Sequence, residues 1–204
     1  MSLRGRRPWQ SPGKHCKIEP SPRRFPRSLC SLGMTDGVNY QENLNLTRWH
    51  MIIEKRMKSS FSVIGKEGST LDGQGFIQKL WEDANSRFGE VQSLAKKDDN
   101  GNLVGIWGAM SDCTHSFKPW EDNFSKGLYL AGVECVDDAE APEGWTKWTI
   151  PSYEYLCAEV ESGSTFSDVL DYMNANSIAL VGAVYDFTCP SNGKNYMFFP
   201  IRTI

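Results

Sequence analysis

The sequence lacks any run of about 18 apolar residues, which excludes a membrane-spanning helix from the expectations it raises. Histidine is scarce: His15, His50 and His115 are the three present, too scattered for a Ser/His/Asp or Cys/His hydrolytic arrangement. Cys16, Cys30, Cys113, Cys135, Cys157 and Cys189 form no C-x-x-C pair and no Cys/His cluster at ligand spacing, so no metal is expected. Asp112, Cys113 and His115 lie within four positions of one loop and cannot readily converge on a tetrahedral ion. A chain of 204 residues, 40% hydrophobic, has no need of a disulfide scaffold, and the cysteines read as reduced thiols in a cytoplasmic protein. The glycine-rich GSTLDGQG at Gly68–Gly75 lacks both the phosphate-loop lysine and the dinucleotide fingerprint. It reads as a helix start, and no cofactor is expected.

Charge is distributed unevenly. Residues 1–50 hold nine Lys/Arg against three Asp/Glu, while the rest of the chain holds thirteen against twenty-two. The formal net charge of -3 therefore hides a basic head of +6 and an acidic body of -9. Five prolines and six arginines in residues 1–33 prevent a regular helix or strand there. The head admits three readings: a transit peptide, a basic arm for nucleic-acid phosphates, or upstream sequence joined to a start at Met34 or Met51. It is too short and proline-rich for a helix-turn-helix, so no direct DNA binding is expected of the folded part. The expected division is 1–50 as a disordered or non-native extension and 51–204 as the domain.

From Met51 onward the pattern is regular. MIIEKRMKSSFSVIGK (51–66) reads as one strand with a possible bulge. Phe76, Ile77, Leu80, Trp81, Ala84 and Phe88 recur at helical spacing, opened by Thr70 or Asp72 and closed at Gly89. LVGIWGAMSD and KGLYLAGVECV follow as strands. The order then repeats: a strand at Trp148–Glu161, with Pro151 at an edge or bulge, and a helix from Thr165 with Phe166, Val169, Leu170 and Met173 on one stripe. A strand at Ile178–Phe187, an Asn-Gly hairpin in CPSNGK and a last strand, YMFFPI, complete it. The expected fold is α+β: duplicated β-α-β-β units about a pseudo-two-fold axis, two sheets with a ligand groove between the repeats.

Aromatic rings crowd the interval from Trp107 to Phe198. Any one of them can be core, but a core seldom needs so many polar-tipped rings, because each buried hydroxyl or indole N–H requires a partner. The expected groove wall is Trp107, Met110, Tyr129, Trp148, Tyr155, Tyr185, Tyr196 and Phe198. Alternation puts Tyr153, Tyr155, Cys157 and Glu159 on one strand face, so Glu159 is the acid expected beside the rings, with Glu134 on the neighbouring strand as second choice. Both acids also read as solvent-facing strand ends, and Cys157 as a small core residue.

The stretch GLYLAGVECVDDAEAPEGWTKWTIPSYEYLCAEVE, followed by YMFFPI, resembles the GyrI-like (DNA-gyrase-inhibitor-like) family, the effector-binding domain of AraC-type and MerR-type multidrug regulators. The residues that carry the resemblance are Gly132-Val133, the Pro142-Glu143-Gly144 turn, Ile150-Pro151 with Tyr155, and Phe198 with Pro200; it covers Met51–Ile204. It implies binding of an amphipathic, often cationic, small molecule, in a stand-alone sensing or effector-binding domain linked to transcription regulation. It implies as alternatives a hydrolase of cyclopropanoid-type compounds, for which Glu159 as base and Tyr155 or Tyr196 as donor would be the catalytic groups, or an inhibitor domain with a protein partner. Family members often carry a buried Glu four residues before the last-strand proline. Here that position is Tyr196, which leaves the ligand's counter-charge to another acid.

Overall fold

The computed structural model describes residues 51–204. The basic head, its possible start at Met34, His15, His50, Cys16 and Cys30 lie outside the described residues.

Alternating apolar and polar residues build eight strands: β1 (Ile53–Lys58), β2 (Phe61–Ser69), β3 (Ile106–Ser111), β4 (Leu128–Cys135), β5 (Thr146–Ile150), β6 (Tyr153–Glu159), β7 (Tyr185–Thr188) and β8 (Asn195–Thr203). The helices are α1 (Phe76–Ser86), the single turn α2 (Glu121–Phe124) and α3 (Thr165–Ala175). All strands belong to one antiparallel sheet, in the order β1-β6-β8-β7-β3-β4-β2-β5. The architecture is α+β. The expected pair of sheets is corrected to one, because β3 and β7 pair with each other and join what would have been two edges.

Local chemistry moves several boundaries. The expected strand at 51–66 is two strands broken at Ser59-Ser60, and the expected strand at 148–161 belongs to two strands broken at Pro151-Ser152, where proline cannot donate to a ladder. Ser69, rather than Thr70 or Asp72, caps a 3₁₀ turn at Thr70–Asp72, with Asp72 answering the Ser69 N–H in a capping box. Only Tyr185–Phe187 of the expected 178–187 strand joins the sheet, continued by Thr188. The Val181 and Ala183 N–H groups donate instead to the carbonyls of Pro200 and Phe117.

The two short links dictate the overall shape. β1 and β2 sit six strand positions apart, about 29 Å across a flat sheet at the usual strand spacing. Ser59 and Ser60 can span only about 11 Å. The same holds for β5 and β6, joined by Pro151-Ser152. The sheet therefore rolls until its edges approach. Ser60 fastens the seam, its N–H donating to Ser152 Oγ at 2.8 Å and its hydroxyl to the Ile150 carbonyl at 2.9 Å. Curling is helped where β2 meets β4 at Gly65 opposite Gly132: a Cβ on Gly65 would lie 2.4 Å from the Ala131 carbonyl oxygen.

Rolling gives the sheet an inside and an outside. Inside lie Phe61, Trp107, Leu130, Trp148, Tyr153, Tyr155, Tyr185 and Phe198, none more than 6% exposed. Outside, α1 packs through Trp81 and Ala84 on β2, β3 and β4, while α3 packs through Val169 and Met173 on β6 and β8.

Candidate functional site

The expected groove-wall residues divide between the two faces. Trp107, Trp148, Tyr155, Tyr185 and Phe198 are placed in the closed interior rather than along a groove, because β3, β5, β6, β7 and β8 turn those alternate positions inward. The Trp107 indole N–H donates to Glu134 Oε2 at 3.2 Å, and that of Trp148 to Glu67 Oε2 at 2.8 Å. Tyr155 and Tyr185 are packed edge to face, and their hydroxyls find no hydrogen-bond partner among the described residues. Burial pushes both phenols upward, Tyr185 furthest from solvent.

The two acids chosen from sequence are already neutralised. Glu134 is not a solvent-facing strand end: it is 2% exposed and is met by Lys58 Nζ at 3.0 Å and Lys96 Nζ at 3.6 Å besides Trp107. Lys58 also sits 4.2 Å above the Phe61 ring, closing one end of the interior. Glu159 lies on the exposed rim, paired with Lys194 at 2.8 Å. Cys157 is buried, its thiol pushed up to about 12 by desolvation, in keeping with a core residue.

A different acid occupies the outer face. Where β3 and β7 pair, between the ground covered by α1 and that covered by α3, lies a shallow cleft whose space of about 250 Å³ is in part continuous with open solvent. It is lined by Trp81 from α1, Ile106 and Gly108 from β3, Asp186 and Thr188 from β7, and Asn195 and Tyr196 from β8, with Phe187 and Val160 completing the wall. Gly108 is needed here: a Cβ at that position would stand 1.9 Å from the Tyr129 hydroxyl. The Trp81 indole donates to Tyr129 Oη at 3.2 Å, and the Tyr129 hydroxyl donates to Asp186 Oδ2 at 3.1 Å. No ion pair holds Asp186 among the described residues. Asp186 keeps part of its surface exposed, yet desolvation of its carboxyl, only partly offset by the Tyr129 hydrogen bond, pushes it up to about 6. The same burial and the neighbouring acid push the Tyr129 phenol well upward, so it remains a donor.

No family model matches the sequence, and no curated protein matches it. Solved structures do. SAV2435 bound to tetraphenylphosphonium is 16% identical and superposes with a TM-score of 0.51 over 74% of this chain and 94% of its own. The EcmrR C-terminal domain is 10% identical and superposes with a TM-score of 0.51 over 76% of this chain and the whole of its own. The fold is that of the GyrI-like domains.

Within this GyrI-like fold, Met110 lies on the outer face with Asp186, among the apolar residues beneath α1, whereas Tyr196 borders the cleft but shares the inward face of β8 with Phe198 and packs against Phe187 at the end of the interior. Asp186 escaped the sequence reading, which sought an acid only on the strands carrying Glu134 and Glu159. The signal was present in Val184-Tyr185-Asp186-Phe187, one carboxylate inside an otherwise apolar strand. Asp112, Cys113 and His115 serve separate ends. Asp112 collects the loop's donors, and His115 Nε2 contacts Glu67 Oε1 at 3.1 Å.

Proposed function

We propose that the domain spanning residues 51–204 binds a cationic amphipathic small molecule in the cleft between α1 and α3, with Asp186 opposing the ligand's charge beside the Trp81 indole. The observation that carries the reading is Asp186 itself. A carboxylate in an apolar wall with one phenol donor and no paired cation is incompletely satisfied, and a cation beside an aromatic surface supplies what it lacks. The tetraphenylphosphonium held by SAV2435, which shares the fold, supports the ligand class. Tyr129 positions the acid.

Reading the chain as a duplication accords with this location. The units β2-α1-β3-β4 and β6-α3-β7-β8 take equivalent places from the two ends of the strand order, and each is preceded by a strand lent to the other's edge. The cleft then lies on the junction between repeats. The EcmrR C-terminal domain supports placing the domain among effector modules associated with transcription regulators. A hydrolase built on Glu159 and Tyr155 finds less support, since the acid pairs with Lys194 on the rim while the phenol lies inside.

Titration with tetraphenylphosphonium and with benzyltrimethylammonium, followed by tryptophan fluorescence, tests the proposal. Binding is expected for the cations, a neutral analogue such as triphenylphosphine oxide should bind more weakly, and Asp186→Asn should weaken the cations by about tenfold or more. Failure of both cations to bind the unaltered protein at millimolar concentration overturns the reading.

A further inference from the structure

We propose that cation capture at Asp186 is coupled to release of a proton, so that the cleft takes its ligand in near-neutral surroundings and lets it go in mildly acidic ones. The inference rests on the proposed cation site and adds its regulation. Its basis is the geometry of the cleft. The Tyr129 hydroxyl accepts from Trp81 and spends its one proton on Asp186 Oδ2, so the carboxyl has a single identified donor. β3 contributes only Ile106 and Gly108 to this wall, and Val160 follows β6. β7 adds Phe187 and Thr188; β8 adds Asn195 and the Tyr196 phenol, which is engaged by Asn192 Nδ2 at 3.2 Å. Tyr129 and Tyr196 are thus the other titratable groups at the site, and burial beside the acid pushes the Tyr129 phenol upward. The nearest pair in sequence, Glu159–Lys194, is matched within itself on the rim.

In such a setting the neutral carboxyl is favoured until a positive charge arrives, whereupon the ionised form becomes favoured and the proton passes to solvent. Desolvation already holds the free carboxyl close to 6, within the range where this exchange is measurable. The coupling is reciprocal: what the cation does to the proton, the proton does to the cation.

Calorimetric titration of the full chain with tetraphenylphosphonium at several pH values, in pairs of buffers with different protonation heats, reads the effect directly. The expected result is a constant affinity above pH 7 and a loss of about tenfold per pH unit below 6, with roughly three-quarters of a proton released per cation at pH 5.5. Asp186→Asn should flatten the profile and abolish the buffer dependence, which separates Asp186 from the histidines. Tyr129→Phe, by removing the donor that favours the charged form, should move the midpoint to higher pH. Equal affinity at pH 5 and pH 8 with no buffer dependence would overturn the proton coupling and leave the cation site standing. No binding at any pH overturns both. The buffer comparison on the unaltered protein decides the matter even if a variant fails to fold.

Discussion

Four carboxylates sit in surroundings that ought to disfavour them, and their partners separate them. Glu134 has two lysines and an indole, Glu67 an indole and His115, and Asp112 the donors of its own loop. Asp186 has one phenol. Its shift is also the reverse of the usual structural carboxylate, and the consequence for stability has a definite sign. A folded-state value near 6 against an ordinary 3.8 means the native state holds the proton more tightly than the unfolded chain. Native stability therefore falls as pH rises from about 4 to 6, and the cost persists above. Asp186→Asn should accordingly raise stability at pH 7.5, by on the order of 1 kcal/mol after screening through the open side of the cleft, and the gain should fade toward pH 4. Denaturant melts at the two pH values test this; a variant less stable at pH 7.5 would count against an under-satisfied acid.

At the scale of elements, the connection from β3 to β4 works hardest against local preference. His115, Phe117, Asp122, Asn123 and Phe124 all take positive φ without being glycine, a conformation that costs roughly 1 kcal/mol or more per residue. Asp112 holds the first part of this loop together. Its carboxylate accepts from the Ser116 N–H at 2.8 Å, the Ser111 hydroxyl at 3.0 Å, the Thr114 N–H at 3.2 Å and the Lys118 N–H at 3.3 Å, besides the Thr114 hydroxyl. Burial alone would raise this acid; the hydrogen bonds from Thr114, Ser116 and Ser111 overcome it and hold the carboxyl well below its usual range. Here the folded value is depressed, so the stability it lends is present above about pH 4 and is lost as the medium becomes more acidic. Asp112→Ala should cost about 3 kcal/mol in denaturant unfolding at pH 7, and proportionately less near pH 3. An equal loss at both pH values would show that the carboxylate's charge is not what holds the loop. Most elements were legible from apolar spacing, as Thr165–Ala175 illustrates, because a stripe of Phe166, Val169, Leu170 and Met173 fits only a helix. Ser59-Ser60 and Pro151-Ser152 were harder to see. Each break lasts only two residues between segments that continue the same alternation, so even Pro151 read as a bulge within one strand.

Across the whole molecule, the decisive fact is that β1, which leads into β2, closes the edge at β6, while β5, which leads into β6, closes the edge at β2, so the two ends of the sheet depend on each other. A chain of residues 51–204 should therefore unfold in one cooperative transition within a few degrees of the full sequence. Starting the chain after Lys58 should abolish that transition or lower it by more than 10 °C, since it bares β6 and takes Lys58 from the buried Glu134. Differential scanning calorimetry on the three chains distinguishes the cases, and unchanged melting without β1 would contradict the interlocking.

Sequence by itself settled the class of most segments, the α+β character, the resemblance carried by residues such as Gly132-Val133 and Phe198 with Pro200, and which alternate residues share a strand face. Those are consequences of periodicity, which acts between neighbours on one strand or helix. Tertiary structure decided which face of the sheet becomes the inside. That sent Trp107, Trp148 and Tyr155 to the core and put Asp186 on the cleft floor instead of Glu159. The physical reason is that a period of two records alternation without direction. Only the rolling of the sheet, imposed by two-residue links between strands six places apart, tells inside from outside.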